Sequence, residues 1–333
     1  MFREHTKVDK PLLSMYWAAS CGGCEISLLN LHEKILEIDA HFDLVFCPCL
    51  VDTKKAGVEA LPDRGIAVTL FNGAVRTEEN REMARLLRHK SQVLVAYGSC
   101  AYEGCMPALS NLSTASEHMR TIYIESPSLD NPTRATPAPG TPVAEGELRL
   151  PEFFDRVQTL EQVTDVDYFI PGCPPEPRQL SNVVDLLLRG APLPPKGSVL
   201  GAGRSTVCDE CTRKKQDKII GGFHRTFELI PDPDQCLLEQ GLICMGIATR
   251  DGCGGLCPKV NMPCTGCYGA PEGVQDQGAK MVASLGSILD LGRAKGGPSG
   301  QDRIDAILDA IPDCAGTFYK YSLAHSILKG KMG

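Results

Sequence analysis

Sixteen cysteines in 333 residues dominate the chemistry available to this chain. Cys21-Gly22-Gly23-Cys24 comes first, then Cys100 in Gly98-Ser99-Cys100-Ala101 and Cys173 in Pro171-Gly172-Cys173-Pro174-Pro175. A dense block follows: Cys208, Cys211, Cys236, Cys244, Cys253, Cys257, Cys264 and Cys267. Setting aside Cys47, Cys49, Cys105 and Cys314 leaves twelve of the sixteen, three sets of four. Four thiolates are what a cubane 4Fe-4S cluster takes. Two other chemistries share parts of the pattern. Cys208/Cys211 and Cys264/Cys267 have zinc-ribbon spacing, and two zinc ions would use all eight cysteines of the block. Cys21-x-x-Cys24 taken alone also fits a redox dithiol.

The elements that must position these residues differ between the two halves. Residues 1 to about 190 alternate strand and helix patterns. Leu12–Trp17, Leu44–Phe46, Ile66–Phe71, Gln92–Tyr97 and Asp167–Ile170 read as strands. Ile26–Ile38 has apolar residues at helical spacing. A second helix runs from Thr77, a good N-cap, to about His89, with Asn80 where a capping box prefers Glu or Gln. Pro177–Arg189 reads as a third, with Pro in its first turn. Such alternation predicts an α/β fold with a parallel sheet covered on both faces. Cys21, Cys24, Cys100 and Cys173 all follow the carboxyl ends of predicted strands, where open α/β sheets build their binding crevice. Cysteines distant in sequence can therefore converge there.

Ser126–Pro151 carries six prolines and interrupts the pattern as a surface excursion or a disordered loop. Around Pro192, Pro194 and Pro195 the grammar changes. Beyond them cysteine and glycine are frequent and periodicity is scarce, so metal binding would have to supply folding free energy. The expected domains are 1–190, binding one site, and 191–333, binding two. Helical patterns return at Ala279–Leu291 and Ile304–Ile311.

The polar stretch Met1–Lys10 resembles no signal region, and no apolar run is long enough for a membrane span. A cytoplasmic location is expected, and a reducing cytosol favours metal or redox roles for the cysteines over disulfides. The net charge of −7 and the lack of a basic stripe argue against nucleic acid.

CGGCE, GSCA, PGCPP, CDEC, the Cys236-to-Cys244 loop, DGCGGLCP and PCTGC occur in that order. Over about residues 11–270 the chain resembles the small subunit of nickel–iron hydrogenases. It is most similar to the cytoplasmic methyl-viologen-reducing type that associates with heterodisulfide reductase. The resemblance implies a flavodoxin-like domain followed by an irregular cluster-stapled domain, and three 4Fe-4S clusters. It implies Cys21, Cys24, Cys100 and Cys173 as proximal ligands. It implies Cys208, Cys211, Cys236 and Cys244 as the distal set, and Cys253, Cys257, Cys264 and Cys267 as the medial set. Many relatives place His where Cys208 stands and Pro in place of a fourth medial cysteine, so Cys208 and Cys257 make an all-cysteine path. Thiolate for imidazole adds negative charge and lowers the distal potential.

The resemblance places the nickel–iron centre in a separate large subunit. This chain would then carry electrons from it to a small 2Fe-2S-bearing delta subunit and heterodisulfide reductase, or to ferredoxin. Glu25, after the proximal pair, either complements a helix dipole or serves a proton or interface role beside the large subunit. Cys105 reads as a buried thiol near the proximal ligands, Cys47 and Cys49 as a structural pair, and His224 as a surface residue. Two alternatives remain open: a quinone-coupled cluster subunit like that of respiratory complex I, whose resemblance would stop near residue 190, and a zinc-stapled scaffold without redox function.

Overall fold

Alternating burial along short β-branched and aromatic runs builds the first half. In a computed structural model, residues 10–190, 192–216, 218–290, 300–311 and 313–328 are described. The expected polar start (Met1–Lys10, all but its last residue) and the end of the expected Ala279–Leu291 helix lie outside them. The strands are β1 (Leu12–Trp17), β2 (Asp43–Phe46), β3 (Ile66–Asn72), β4 (Val75–Thr77), β5 (Ser91–Tyr97), β6 (Gly140–Val143), β7 (Gly146–Arg149), β8 (Phe153–Gln158), β9 (Tyr168–Ile170) and β10 (Ser198–Val199). Six form one parallel sheet in the order β2-β1-β3-β5-β9-β10. This is the flavodoxin-like order with one strand added, and the winding reverses between β1 and β3.

Neighbouring residues on a strand feed opposite cores. Tyr16, Phe71 and Ala96 join Met83 and Leu87 on one face. Met15, Val68, Val95 and Tyr97 join Leu180, Val183 and Cys24 on the other. The helices of this half are α1 (Gly23–Leu29), α2 (Lys34–His41), α3 (Lys55–Glu59), α4 (Glu78–Lys90), α5 (Ser99–Glu103), α6 (Ala115–Arg120) and α7 (Pro177–Leu188). Thr77 caps α4, and Asn80 closes the capping box although it is neither Glu nor Gln. Its carboxamide oxygen accepts from the Thr77 N–H, which is all the box requires.

The single helix expected over Ile26–Ile38 is two. α1 ends at Leu29 with Asn30 as its cap, and the left-handed φ of 51° at His32 redirects the chain, with Leu31 buried, before α2 begins. The proline-rich excursion holds an exposed hairpin, β6–β7.

The second half has short elements: α8 (Val207–Glu210), α9 (Leu256–Lys259), α10 (Gln277–Ile288), α11 (Gly300–Asp309) and α12 (Cys314–Phe318). Its core gathers Val207, Phe223, Met245, Met281, Leu285 and Phe318. The C-terminal segment then returns to the sheet half: Leu323 and Ala324 pack with Ala74, Ala108 and Val157. The Cys105 N–H donates to the Tyr321 carbonyl at 3.0 Å. No helix among the described residues is long and apolar enough to cross a membrane.

Asp167 ties the sheet edge together. Its carboxylate accepts from Arg88 at 2.5 Å, Lys196 at 2.5 Å and the Leu94 N–H at 2.8 Å. Burial alone would raise its pKa. The Arg88 hydrogen bond, then Lys196 and Leu94, outweigh burial and hold it below the ordinary value. A depressed carboxyl contributes stability that is complete above its unfolded value, about 3.9, and is lost as pH falls through the folded one. Asp167→Asn is expected to cost about 3 kcal/mol in urea unfolding at neutral pH. The loss should shrink in acid, where the wild type also gives up the pair.

Candidate metal centres

The carboxyl ends of β1, β5 and β9 deliver the first four thiols. Cys24 lies inside α1 and is buried, while Cys21 is exposed just before it. Cys100 sits in the first turn of α5, and Cys173 in the turn after β9. The Cys24 thiol is pushed far above its ordinary pKa by burial first, then by Cys100, Glu25, Cys173 and Cys21. The four thiols thus face one another, although up to 152 residues separate them in sequence.

Backbone detail makes the room. Gly98 has φ +82°, and a Cβ there would collide with Cys24 Sγ. A Cβ on Gly172, φ +125°, would meet Pro175 Cα at 2.5 Å. Ser99 Oγ accepts from the Gly172 N–H at 3.1 Å, which locks the Cys100 turn to the Cys173 turn. Tyr97 Oη donates to the Cys24 carbonyl at 2.9 Å. Cys105, fully buried at φ 49°, points its thiol at the same place and donates to Cys173 Sγ at 3.7 Å. Its pKa is driven up by hydrogen bonds to Cys100 and Cys173, and that of Cys173 is driven down in return.

Glu25 stands in the first turn of α1. Asn72 donates to its Oε1 at 2.6 Å, and Ser20 in turn donates to Asn72 Oδ1 at 3.1 Å. Glu25 Oε2 is buried with no hydrogen-bond partner among the described residues.

A second group forms around Cys208. Its thiol rises to about 11, from burial, with Cys244, Cys236 and Cys211 adding and Lys215 opposing. Gly246 leaves space beside it: a Cβ there would lie 3.4 Å from Cys208 Sγ and 3.7 Å from Cys244 Sγ. In a third group Cys267 rises to about 12, from burial and then from Cys253, Cys257 and Cys173. Cys253 lies in a turn where Gly252, Gly254 and Gly255 all have positive φ, and Cys257 follows in α9. Cys264 is buried and faces Cys244 as well as Cys267.

The groups therefore adjoin in a fixed order. Ser99 Oγ, beside Cys100, donates to the Cys267 carbonyl at 2.5 Å, joining the first to the third. The Cys264 N–H donates to Cys244 Sγ at 3.3 Å, joining the third to the second. The cysteines set aside lie elsewhere, apart from Cys105. Cys47 is buried and hydrogen-bonds the exposed Cys49, and the Cys314 thiol donates to the Ile311 carbonyl at 3.5 Å. His224 is exposed beside Glu228. Ser99, Tyr97 and Asn72 escaped the sequence reading. The run Gly98-Ser99-Cys100 held the one signal, a small polar residue wedged against a ligand candidate.

Among the described residues no three Cys, His, Asp or Glu side chains close around a single metal ion. A mononuclear zinc site gathers four ligands about one point at ~2.3 Å. A cubane spreads its four thiolates over four irons, and sets of thiols that face one another across wider spacing suit such a core.

Residues 21–187 match the family described as NADH ubiquinone oxidoreductase, 20 Kd subunit. The chain is 36% identical to the iron-sulfur subunit of the F420-non-reducing hydrogenase of Archaeoglobus profundus, over 96% of this chain and 98% of that protein. The chain belongs to the family of these hydrogenase subunits. A member from the F420-non-reducing hydrogenase of Methanothermobacter marburgensis is 34% identical over 97% of this chain and 98% of its own length. The recombinant [NiFeSe] hydrogenase of Desulfovibrio vulgaris Hildenborough shares the fold, with a TM-score of 0.50 and 17% identity over 80% of this chain and 95% of that one. The first half thus carries a domain shared with the 20 Kd subunit family, while likeness to the F420-non-reducing hydrogenases runs on through the cysteine-rich second half. The chain is a hydrogenase subunit, of an oxidoreductase family.

Gly98→Ala places a methyl group on Cys24 Sγ. If each of the three thiol groups holds a four-iron core, the variant keeps roughly two thirds of the iron of the wild type after anaerobic reconstitution, because the second and third groups remain intact. Gly221→Ala, with open space around it, should keep all of it. Equal iron in all three proteins would contradict the placement of Gly98 against a ligand.

Proposed function

We propose that this chain is the electron-transfer subunit of a cytoplasmic nickel–iron hydrogenase and holds three 4Fe-4S clusters. The contiguity of the three thiol groups carries the reading. In this assignment Cys21, Cys24, Cys100 and Cys173 hold the proximal cluster, Cys253, Cys257, Cys264 and Cys267 the medial one, and Cys208, Cys211, Cys236 and Cys244 the distal one. A bound 4Fe-4S cluster supplies one-electron redox chemistry without forming or breaking bonds in the protein.

The chain's own residues supply the rest. Burial of Cys24, Cys100 and Cys264 excludes water. The Cys264 N–H, donated to Cys244 Sγ, and Ser99 Oγ, donated to the Cys267 carbonyl, hold neighbouring sets together. Cys257 completes a medial set of four where a proline would leave three.

Each end of the path offers a docking face. Beside exposed Cys21 stand the exposed apolar side chains of Trp17, Ile26 and Leu29, suited to the large subunit that would hold the nickel–iron centre. Between Cys211 and Cys236, Ile219, Phe227 and Ile230 are exposed, and Lys214, Lys215 and Lys218 lie in the same segment. That face suits an acidic electron acceptor, in this reading the 2Fe-2S-bearing delta subunit with heterodisulfide reductase, or ferredoxin.

Anaerobic co-purification tests the assignment. A nickel-bearing partner and hydrogen-dependent viologen reduction are expected, and heterodisulfide reductase should follow at low salt. A colourless, stable monomer without that partner would contradict it. Cys257→Pro is expected to leave a 3Fe-4S centre, visible as a new electron paramagnetic resonance signal of the oxidised protein. If no such signal appears, the fourth medial ligand lies elsewhere.

A further inference from the structure

Glu103 has no part in the thiol sets, yet it occupies the seam between two of them. It ends α5, three residues after Cys100. It is 1% exposed. The loop that follows Cys267 lies directly against it: Gly269, φ +72°, has no room for a Cβ, which would collide with Glu103 Oε1. The Ala270 N–H donates to the carboxyl group. At the other end of α5, Ser99 Oγ donates to the Cys267 carbonyl at 2.5 Å. One short helix therefore carries Cys100 in its first turn and clamps the Cys267 loop at both ends.

The carboxyl group lacks what a buried carboxylate needs. Among the described residues its Oε2 has no hydrogen-bond partner, and neither has the Nε of Arg250. No ion pair joins Glu103 to any cation among the described residues. The charged and titratable groups about it are few. Arg250, 8% exposed, donates from Nη1 to the Gly203 carbonyl at 2.7 Å. Tyr102 on the same helix hydrogen-bonds Arg250 and stacks near His325 of the C-terminal segment, with ring centroids 5.9 Å apart. Glu161 acts on Tyr102 from further out. A cavity of about 500 Å³ reaches Glu103 from solvent, with Lys196, Arg204 and Glu272 exposed along its walls, Lys196 paired with Asp167 and Arg204 with Glu272. Burial, opposed by the Ala270 N–H and Arg250, pushes the acid up to about 8.

We propose that Glu103 is a redox-linked proton site: when one electron arrives at the adjoining proximal and medial sets, its Oε2 takes one proton from solvent through this cavity. The proposal rests on the cluster assignment above. The step balances as one electron and one proton gained, with the carboxylate becoming a carboxylic acid and no heavy-atom bond changed. An added negative charge beside a buried carboxylate raises its proton affinity, and the bound proton in turn stabilises the reduced state. The sign follows. Where Glu103 is protonated in both redox states, potential does not depend on pH. Where the oxidised state is ionised, above the folded value, potential falls as pH rises.

Potentiometric titration of the intact hydrogenase complex, monitored by electron paramagnetic resonance from about pH 7 to about pH 10, tests this in the range of a raised buried carboxyl. In the wild type one cluster midpoint should be level at the lower end and then fall by up to ~59 mV per pH unit, a tenfold change for one electron. In Glu103→Gln the midpoint should stay level throughout. Glu103→Asp should restore the slope with a displaced onset. In reduced-minus-oxidised infrared spectra at high pH, a carboxylic acid band should grow in the wild type and be missing from Glu103→Gln. A level wild-type midpoint, or a slope retained in Glu103→Gln, overturns the role of Glu103 alone. Absence of any cluster signal overturns the cluster assignment with it.

Discussion

Buried thiols that face one another repel as soon as they ionise, and every other feature of this chain accommodates that fact. Cys24, Cys208 and Cys267 are all pushed up by burial and then by the other thiols of their sets. Raised in this way, they stay neutral near neutral pH in the metal-free chain and pack as small apolar groups, and a cost arises only when they ionise as ligands. A cationic inorganic core would offset the cost of that ionisation, so that binding it would add to the stability of the fold. The second half shows the dependence most clearly. Its helices α8, α9 and α12 are four or five residues long, too short to be stable alone.

The sheet half solves a different problem, that of bringing remote residues to one point without strain on the core. Three parallel strands end at one edge, and the residues after them converge because the topology leaves them no other place. The small residues Gly98 and Gly172 then let sulfur and backbone approach more closely than any side chain would allow. The C-terminal segment closes the arrangement by pinning Cys105 through Tyr321, so the two halves share one seam.

Much of this was legible in the sequence, for identifiable reasons. The strands and α4 announce themselves through periodicity and through the Thr77 cap, and the cysteine motifs mark the strand ends. The break at His32 was not legible, because helical spacing continued across it and only a left-handed φ reveals it. β10 was missed because a two-residue strand carries no pattern. Membership of each cysteine set came from a resemblance of motifs. Spacing alone could not tell that Cys267 abuts Cys173 while Cys264 abuts Cys244, since each contact joins separate segments of the chain, where no local rule applies. Glu103 was invisible for the same reason: a glutamate after Tyr102 reads as a solvated charge until the Gly269 loop covers it.

If twelve cysteines hold three cubane clusters, a count of iron, acid-labile sulfide and zinc in anaerobically isolated protein gives about twelve iron and about twelve sulfide per chain with no stoichiometric zinc. About two zinc per chain with no sulfide would contradict it.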